Sequence, residues 1–132
     1  MNNLISPKNL ELFRQKLTER EEKFRNQLQQ RLTVSNRPSF KILADAIIEN
    51  GTIDFAYYLN DEEYKPISYF LEELTSIRAA LNRMDLDHYG RCLDCYGDID
   101  VTRLSVYPTV TRCDDCEMRH NQMEKREASA YL

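Results

Sequence analysis

The chain has 132 residues, 30% of them charged, and a net charge of −4 at neutral pH. That length suits one domain with an extension, and the acidic balance argues against a protein whose affinity comes from neutralising phosphates. Three glycines, four prolines and no tryptophan suit long helices better than a sandwich or barrel.

Ser6-Pro7 predicts a helix start, with Ser6 as N-cap and Pro7 in the first helical position. Leu10, Phe13, Leu17, Phe24, Leu28 and Leu32 follow at spacings of three, four, seven, four and four, which is one apolar stripe on a helix running to about Leu32. The mixed charges between them read as a solvated face. Thr33 to Pro38 interrupts the pattern, with Ser35 and Asn36 available as caps. Pro38 begins a second helix that ends near Gly51, a residue suited to a helix C-cap. Ile42, Leu43, Ala46 and Ile47 are its predicted apolar face.

Residues 42–64 contain Asp45, Glu49, Asp54, Asp61, Glu62 and Glu63 and no lysine or arginine, with Phe55, Tyr57, Tyr58, Leu59 and Tyr64 interleaved. Two readings stand side by side: a solvated bend with aromatics packed on a neighbour, or an acidic, aromatic tip that meets a basic or metal-bearing partner. Pro66 then opens or kinks a third helix. Ile67, Phe70, Leu74, Ile77, Leu81 and Met84 recur at three, four, three, four and three, a heptad seam that is predicted to face the first stripe. An ordinary helical bundle has the same periodicity. Met84, Met118 and Met123 read as packing residues. Tyr69 reads as packing, and Tyr57 or Tyr58 as a partner contact.

Cys92-Leu93-Asp94-Cys95 and Cys113-Asp114-Asp115-Cys116 hold all four cysteines, with seventeen residues between the pairs. Two Cys-x-x-Cys pairs so spaced are the sequence form of a four-thiolate zinc site, one structural Zn²⁺ held by Cys92, Cys95, Cys113 and Cys116. Two disulfides or four unrelated thiols are the alternatives. Ile99, Val101, Val106 and Val110 could supply short strands between the pairs, with Pro108 ending one. Glu117 to Arg126 reads as a short terminal helix and Ala128 to Leu132 as a frayed end. The fold class is therefore mainly α: an antiparallel helical hairpin or coiled coil over residues 1–88, its acidic bent tip around 42–64, and a small four-cysteine zinc-ribbon domain with a C-terminal helix over 89–132. The N-terminal residues carry neither the basic region nor the long apolar core of a secretory signal, and no apolar run reaches the roughly 18 residues of a membrane span. A four-cysteine site without such a signal implies a reducing, cytoplasmic compartment.

Tyr89-Gly90-Arg91-Cys92-Leu93-Asp94-Cys95, then Ile99, Arg103-Leu104, Pro108, Cys113 and Cys116, resemble the signature of the DksA/TraR family in residue type and spacing. The motif covers about residues 86–120, and the heptad helices before it are consistent with that family's coiled coil. The resemblance implies a zinc globule at the base of an antiparallel coiled coil. It also implies a monomer whose arm enters the secondary channel of bacterial RNA polymerase and brings an acidic tip near the active site. Such a protein changes the lifetime of promoter complexes without reading DNA sequence. From Cys92 onward the chain carries eight acids and five bases, a poor DNA clamp.

Three departures from the family pattern matter. Tyr96 stands where the family has glycine directly after the second cysteine, and Gly97 follows. The family's tip resembles Asp-x-x-Asp-x-Ala. Here Asp54-Phe55-Ala56 matches its second half while Gly51 takes the first aspartate's place, and a gap-free count from Cys92 instead puts Thr52 and Asp54 at the last aspartate and alanine positions. Asp54 and Ala56 are then the tip, with Glu49, Asp61 and Glu62 as supporting charge. Counted from the cysteines, the places where some members hold guanosine tetraphosphate with basic side chains are Ser76, Tyr107 and Glu117, so action without that nucleotide is expected. The competing reading is a zinc-ribbon adaptor that binds another protein through its coiled coil. An enzyme is not expected, since four cysteines close a zinc shell that catalysis needs open. His88 reads as a loop residue, His120, four residues after Cys116, as a surface helix residue with a spare zinc ligand as the alternative, and no phosphate-cradling glycine loop is present.

Overall fold

Ser6 opens the first helix: its Oγ accepts a hydrogen bond from the Asn9 N–H at 3.1 Å, and α1 spans Pro7–Thr33. The computed structural model describes residues 5–50 and 53–130, with side chains as far as residue 127. Helix α2 spans Pro38–Asn50 and α3 spans Ser68–Asp85. Between them lie two 3₁₀ turns, Phe55–Tyr58 and Glu62–Ile67. Helix α4 spans Val101–Val106 and α5 Asp114–Ala130. The protein is mainly helical, and among the described residues no strand forms. None of the described helices is long and apolar enough to cross a membrane.

The chain divides into two compact units. One is Gln15–Asn82; the other joins the start of the chain, through Arg14, to everything from Arg83 onward. In the first unit the two predicted stripes are the core. Leu17, Phe24, Leu28 and Leu32 of α1 are buried, as are Phe70, Leu74, Ile77 and Leu81 of α3 and Ile67 just before it. Leu71 and Ala80 widen the α3 face beyond a strict heptad seam, as a helix buried against more than one neighbour requires. Arg20 meets Glu73 at 3.2 Å, Glu21 pairs with Arg78, and the Phe24 and Phe70 rings lie 6.3 Å apart edge to face. Glu21 explains the seven-residue gap in the α1 stripe. It occupies the position where an apolar residue would continue the face, and its carboxylate, 12% exposed, is taken up by the Arg78 guanidinium.

Helix α2 departs from its predicted face. Phe40, Leu43, Ala44 and Ile47 are buried, whereas Ile42 is 69% exposed. The buried set follows the i, i+3, i+4, i+7 spacing of one helical face, and Ile42 projects from the opposite side. Gln29 of α1 donates to the Ala44 carbonyl at 3.1 Å. Residue 51, the predicted C-cap, lies outside the described residues, as does residue 52. Pro66 sits inside the second 3₁₀ turn, just ahead of α3, where its fixed φ is tolerated and its missing N–H is not needed.

The segment between the cysteine pairs corrects the sequence expectation. Val101 to Val106 form α4 instead of strands, and the nearest approach to a ladder is one isolated antiparallel bridge, Arg91 with Asp98. Asp100 decides this locally, because its carboxylate caps the helix by accepting the Thr102 N–H at 3.1 Å. The resulting helix buries Leu104 fully and leaves Val106 exposed. The terminal helix is longer than predicted at both ends. It begins at Asp114, with Asp115 and Glu117 also in its first turn, where carboxylates complement the helix dipole. It also includes residues 128–130, read from sequence as frayed. Residues 131 and 132 lie outside the described residues. Met84 is buried as predicted, but Met118 and Met123 are exposed on α5.

Candidate metal centre

Asp87, with φ of +60°, turns the chain out of α3, and His88 donates back to the Arg83 carbonyl at 2.8 Å. Tyr89 then anchors the approach to the first cysteine. Its ring is buried beside Phe13, and its hydroxyl donates to the Pro108 carbonyl at 2.7 Å. Burial pushes that hydroxyl up to about 12, partly offset by Arg83 nearby, so it is a neutral donor at ordinary pH. Gly90 follows with φ of +86°; a Cβ there would collide with the Ile5 Cδ1. A side chain at Gly90 would meet both left-handed strain and this close approach.

The first knuckle is a closed loop. Ile99 donates to the Gly90 carbonyl and Cys92 to the Gly97 carbonyl, both at 2.8 Å, while Tyr96 donates back to the Cys92 carbonyl at 3.0 Å. Leu93 donates to the Thr111 carbonyl at 2.9 Å and so ties this loop to the segment that leads into the second pair. That pair lies at the start of α5: Cys113 accepts the Glu117 N–H at 2.9 Å and Cys116 lies in the first turn. The four sulfurs come within 4.8 Å of one another, and Cys95 and Cys113 Sγ are 3.9 Å apart. Tetrahedral ligands about 2.3 Å from a zinc ion stand about 3.8 Å from each other, so the cluster has the dimensions of a metal site such as zinc's. All four cysteines are free of disulfides.

The surroundings of the four thiols differ from one cysteine to the next. Burial opposes ionisation of the Cys92 thiol, but the backbone N–H groups of Cys95, Cys113 and Asp94 outweigh it and bring it down to about 6. Cys116 moves the other way, up to about 12, because hydrogen bonding with Cys113, burial and the neighbouring Cys92 and Cys95 hold its proton. The two shifts have opposite directions, so the Cys92 site favours a thiolate and the Cys116 site a neutral thiol.

Two arginines brace the site: Arg103, which belongs to the signature noted in the sequence, and Arg112, which does not. Arg112 Nε meets Asp94 Oδ2 at 2.8 Å and its Nη1 lies 3.8 Å from Glu117 Oε1, joining the first knuckle to the turn that carries the second. Arg103 of α4 reaches Asp114 at 2.8 Å and donates through Nε to the Arg112 carbonyl at 3.1 Å. The available signal was Arg112's place directly before Cys113. No family model matches the chain, and no curated protein matches it. The case for the site rests on the geometry of its own residues.

Tyr96 adopts φ of +62°, the left-handed conformation in which glycine carries no Cβ penalty. The turn is kept and the tyrosine bears the strain, about 1–2 kcal/mol for an L-residue. Tyr96→Gly should therefore stabilise the protein by roughly 0.5–1 kcal/mol after the larger chain entropy of glycine is subtracted. Thermal unfolding of the two proteins side by side checks this, and an unchanged or lower Tm for the glycine variant would refute it.

The proposed tip residues lie in the other unit. Asp54 is exposed and caps the first 3₁₀ turn, accepting the Ala56 N–H at 3.1 Å. Asp61 is exposed and caps the second, accepting the Glu63 N–H at 2.9 Å. Ala56, Glu49 and Glu62 are exposed. Asp61 and Glu62 share a small cleft with Lys65 and Glu72, and Asp54 does not line it. Of the tyrosines, Tyr57 is 79% exposed, whereas Tyr58 packs edge to face between Tyr57 and Tyr64, with centroid distances of 5.2 and 4.9 Å. Tyr69 is exposed on one side and edges against Phe24 and Phe70 on the other.

Proposed function

We propose that this protein regulates bacterial RNA polymerase in the manner of the DksA/TraR family, through the polymerase secondary channel. In this reading one structural zinc is held by Cys92, Cys95, Cys113 and Cys116, and α1 and α3 form an antiparallel hairpin whose tip acid is Asp54. The supporting observation is that the residues of the resemblance are the ones that build the cysteine site. Tyr89 bonds to Pro108, Gly90 takes the left-handed turn, Ile99 and Leu104 are buried, and Arg103 holds Asp114. The pairing of Arg20 with Glu73 and Glu21 with Arg78, and the seat of Arg31 over Phe70 further along α1, support the hairpin, since a later position on α1 meets an earlier one on α3.

Exposed acids at the tip act by charge and by occupying space near the catalytic magnesium region or the mobile elements around it. The protein binds polymerase as a cytoplasmic monomer and makes no sequence-specific contact with DNA. It also acts without guanosine tetraphosphate. Ser76 and Tyr107 offer no charge, and the carboxylate of Glu117, which would repel the nucleotide, faces Arg112. Promoter effects should be equal with and without the nucleotide on polymerase lacking its other nucleotide site.

Asp54→Asn separates binding from action. Asparagine caps a helical turn as well as aspartate does, so the 3₁₀ turn survives and only the charge is lost. The variant should bind core polymerase with wild-type affinity and lose its effect on promoter-complex lifetime. Unchanged regulation by the variant would remove Asp54 from the mechanism. Failure of the wild-type protein to bind polymerase subunits would favour the adaptor reading, a zinc protein that engages another partner through its helical arm.

A further inference from the structure

A groove of about 720 Å³ lies between α1 and the start of α3. Its floor is formed by Phe24 and Phe70, which are largely buried, with Pro66 and the exposed ring of Tyr69 beside them. Its walls from α1 carry Lys23, Gln27, Gln30 and Arg31. No acid lines it, although the chain as a whole has a net charge of −4. The Arg31 guanidinium lies 5.1 Å from the centre of the Phe70 ring. Among the described residues neither Arg31 nor Lys23 has a carboxylate within ion-pair distance. Arg20, one turn away from Lys23 on α1, makes the contrast: it too lies over a ring, Phe24, but Glu73 at 3.2 Å neutralises it. Arg31 is thus held over the Phe70 ring and Lys23 lines the same groove, neither of them in an ion pair, and the amides of Gln27 and Gln30 can donate hydrogen bonds between them. Arginine and tyrosine over a partly desolvated apolar floor are the side chains that most often dominate binding energy at protein interfaces.

We propose that this groove docks an acidic segment of a partner protein that carries one large apolar side chain. The apolar group lies on Phe24, Phe70 and Tyr69, and the flanking carboxylates meet Lys23 and Arg31. The identity of that partner as polymerase rests on the function proposed above; the chemistry of the segment follows from the groove alone.

The test uses the full-length protein with a fluorescein-labelled glutamate-rich peptide bearing a single leucine, and a second peptide with serine in its place. The leucine peptide should bind more tightly, and binding should weaken as salt is raised. Lys23→Glu combined with Arg31→Glu should weaken it by about tenfold or more, with helicity and metal content unchanged. Tyr69→Ala, at an exposed position, should reduce the leucine peptide's advantage. Equal binding by the charge-reversed protein overturns the proposal. Competition by inorganic triphosphate as strong as by the peptide overturns it in favour of a small-anion site. Self-association that the charge reversal abolishes overturns it in favour of a second copy's acidic 54–63 stretch. Core polymerase separates the two ideas. Undiminished polymerase binding by the charge-reversed protein removes the groove and leaves the polymerase reading, whereas peptide binding without polymerase binding does the reverse.

Discussion

Cys92→Ser is expected to unfold the cysteine-bearing unit, and, with the zinc proposed above bound, a chelator should do the same to the unaltered protein. Structural zinc contributes about 10–16 kcal/mol of apparent binding free energy in small domains at neutral pH. A whole domain has a net stability of only about 5–15 kcal/mol, so a zinc ion held by these cysteines would outweigh any other single interaction here. The apolar core of this unit is small, resting on residues such as Phe13, Met84, Tyr89, Ile99 and Leu104, and such a core depends on a staple. Cys92 is the most sensitive of the four because it is fully enclosed and three backbone N–H groups stabilise its thiolate. Serine at that position is a much weaker ligand and leaves a poorly matched polar group in the enclosure. Metal content by mass spectrometry and residue-resolved hydrogen exchange report the outcome. About one zinc per chain and loss of protection from residue 89 onward on chelation are expected. A Cys92→Ser protein that melts with the wild type, or a chelator without effect, would remove the metal from the account of this fold.

Leu28→Ala should cost the helical unit about 3 kcal/mol. Leu28 is fully buried on α1, and truncation removes about 0.8 kcal/mol of transfer free energy per methylene plus the cost of the cavity left behind. The ion pairs alongside are much weaker: an exposed pair such as Arg20–Glu73 contributes at most about 1 kcal/mol. Leu12 provides the control. It lies on the same helix but is 48% exposed, and Leu12→Ala should stay within about 0.5 kcal/mol of wild type. Urea unfolding followed by helical circular dichroism measures both, with the midpoint moving and the slope constant. Equal midpoints for Leu28→Ala and Leu12→Ala would mean that the stripe does not form the core.

The comparison of these two leucines shows how far the sequence reaches. Leu28 belongs to a repeating apolar spacing and Leu12 does not, so their burial could be assigned without coordinates. The same holds for the α3 seam and for the Ser6 cap. It fails for Ile42. In a helix as short as α2, two adjacent faces are both partly apolar, and only contact with a neighbouring element selects the face containing Phe40 and Ala44. It fails again for Val101 to Val106, where valines favour a strand but Asp100 caps a helix and no partner strand is at hand. At the cysteine site the cluster of four cysteines was legible from spacing, because each Cys-x-x-Cys pair is a local object. The bracing by Arg103 and Arg112 was not, because it joins residues whose proximity depends on how the intervening chain folds.

The sequence by itself determined the mainly helical class, the capped start of α1, the buried stripes of α1 and α3 and the pairing of the four cysteines in two short motifs. These depend on interactions between residues a few positions apart, which periodicity and spacing record directly. Only the tertiary structure decided that the four sulfurs converge, that Arg112 links Asp94 to Glu117, and that Lys23 and Arg31 line an aromatic groove that no acid lines. Each of those facts depends on which distant side chains meet, and local pattern carries no record of that.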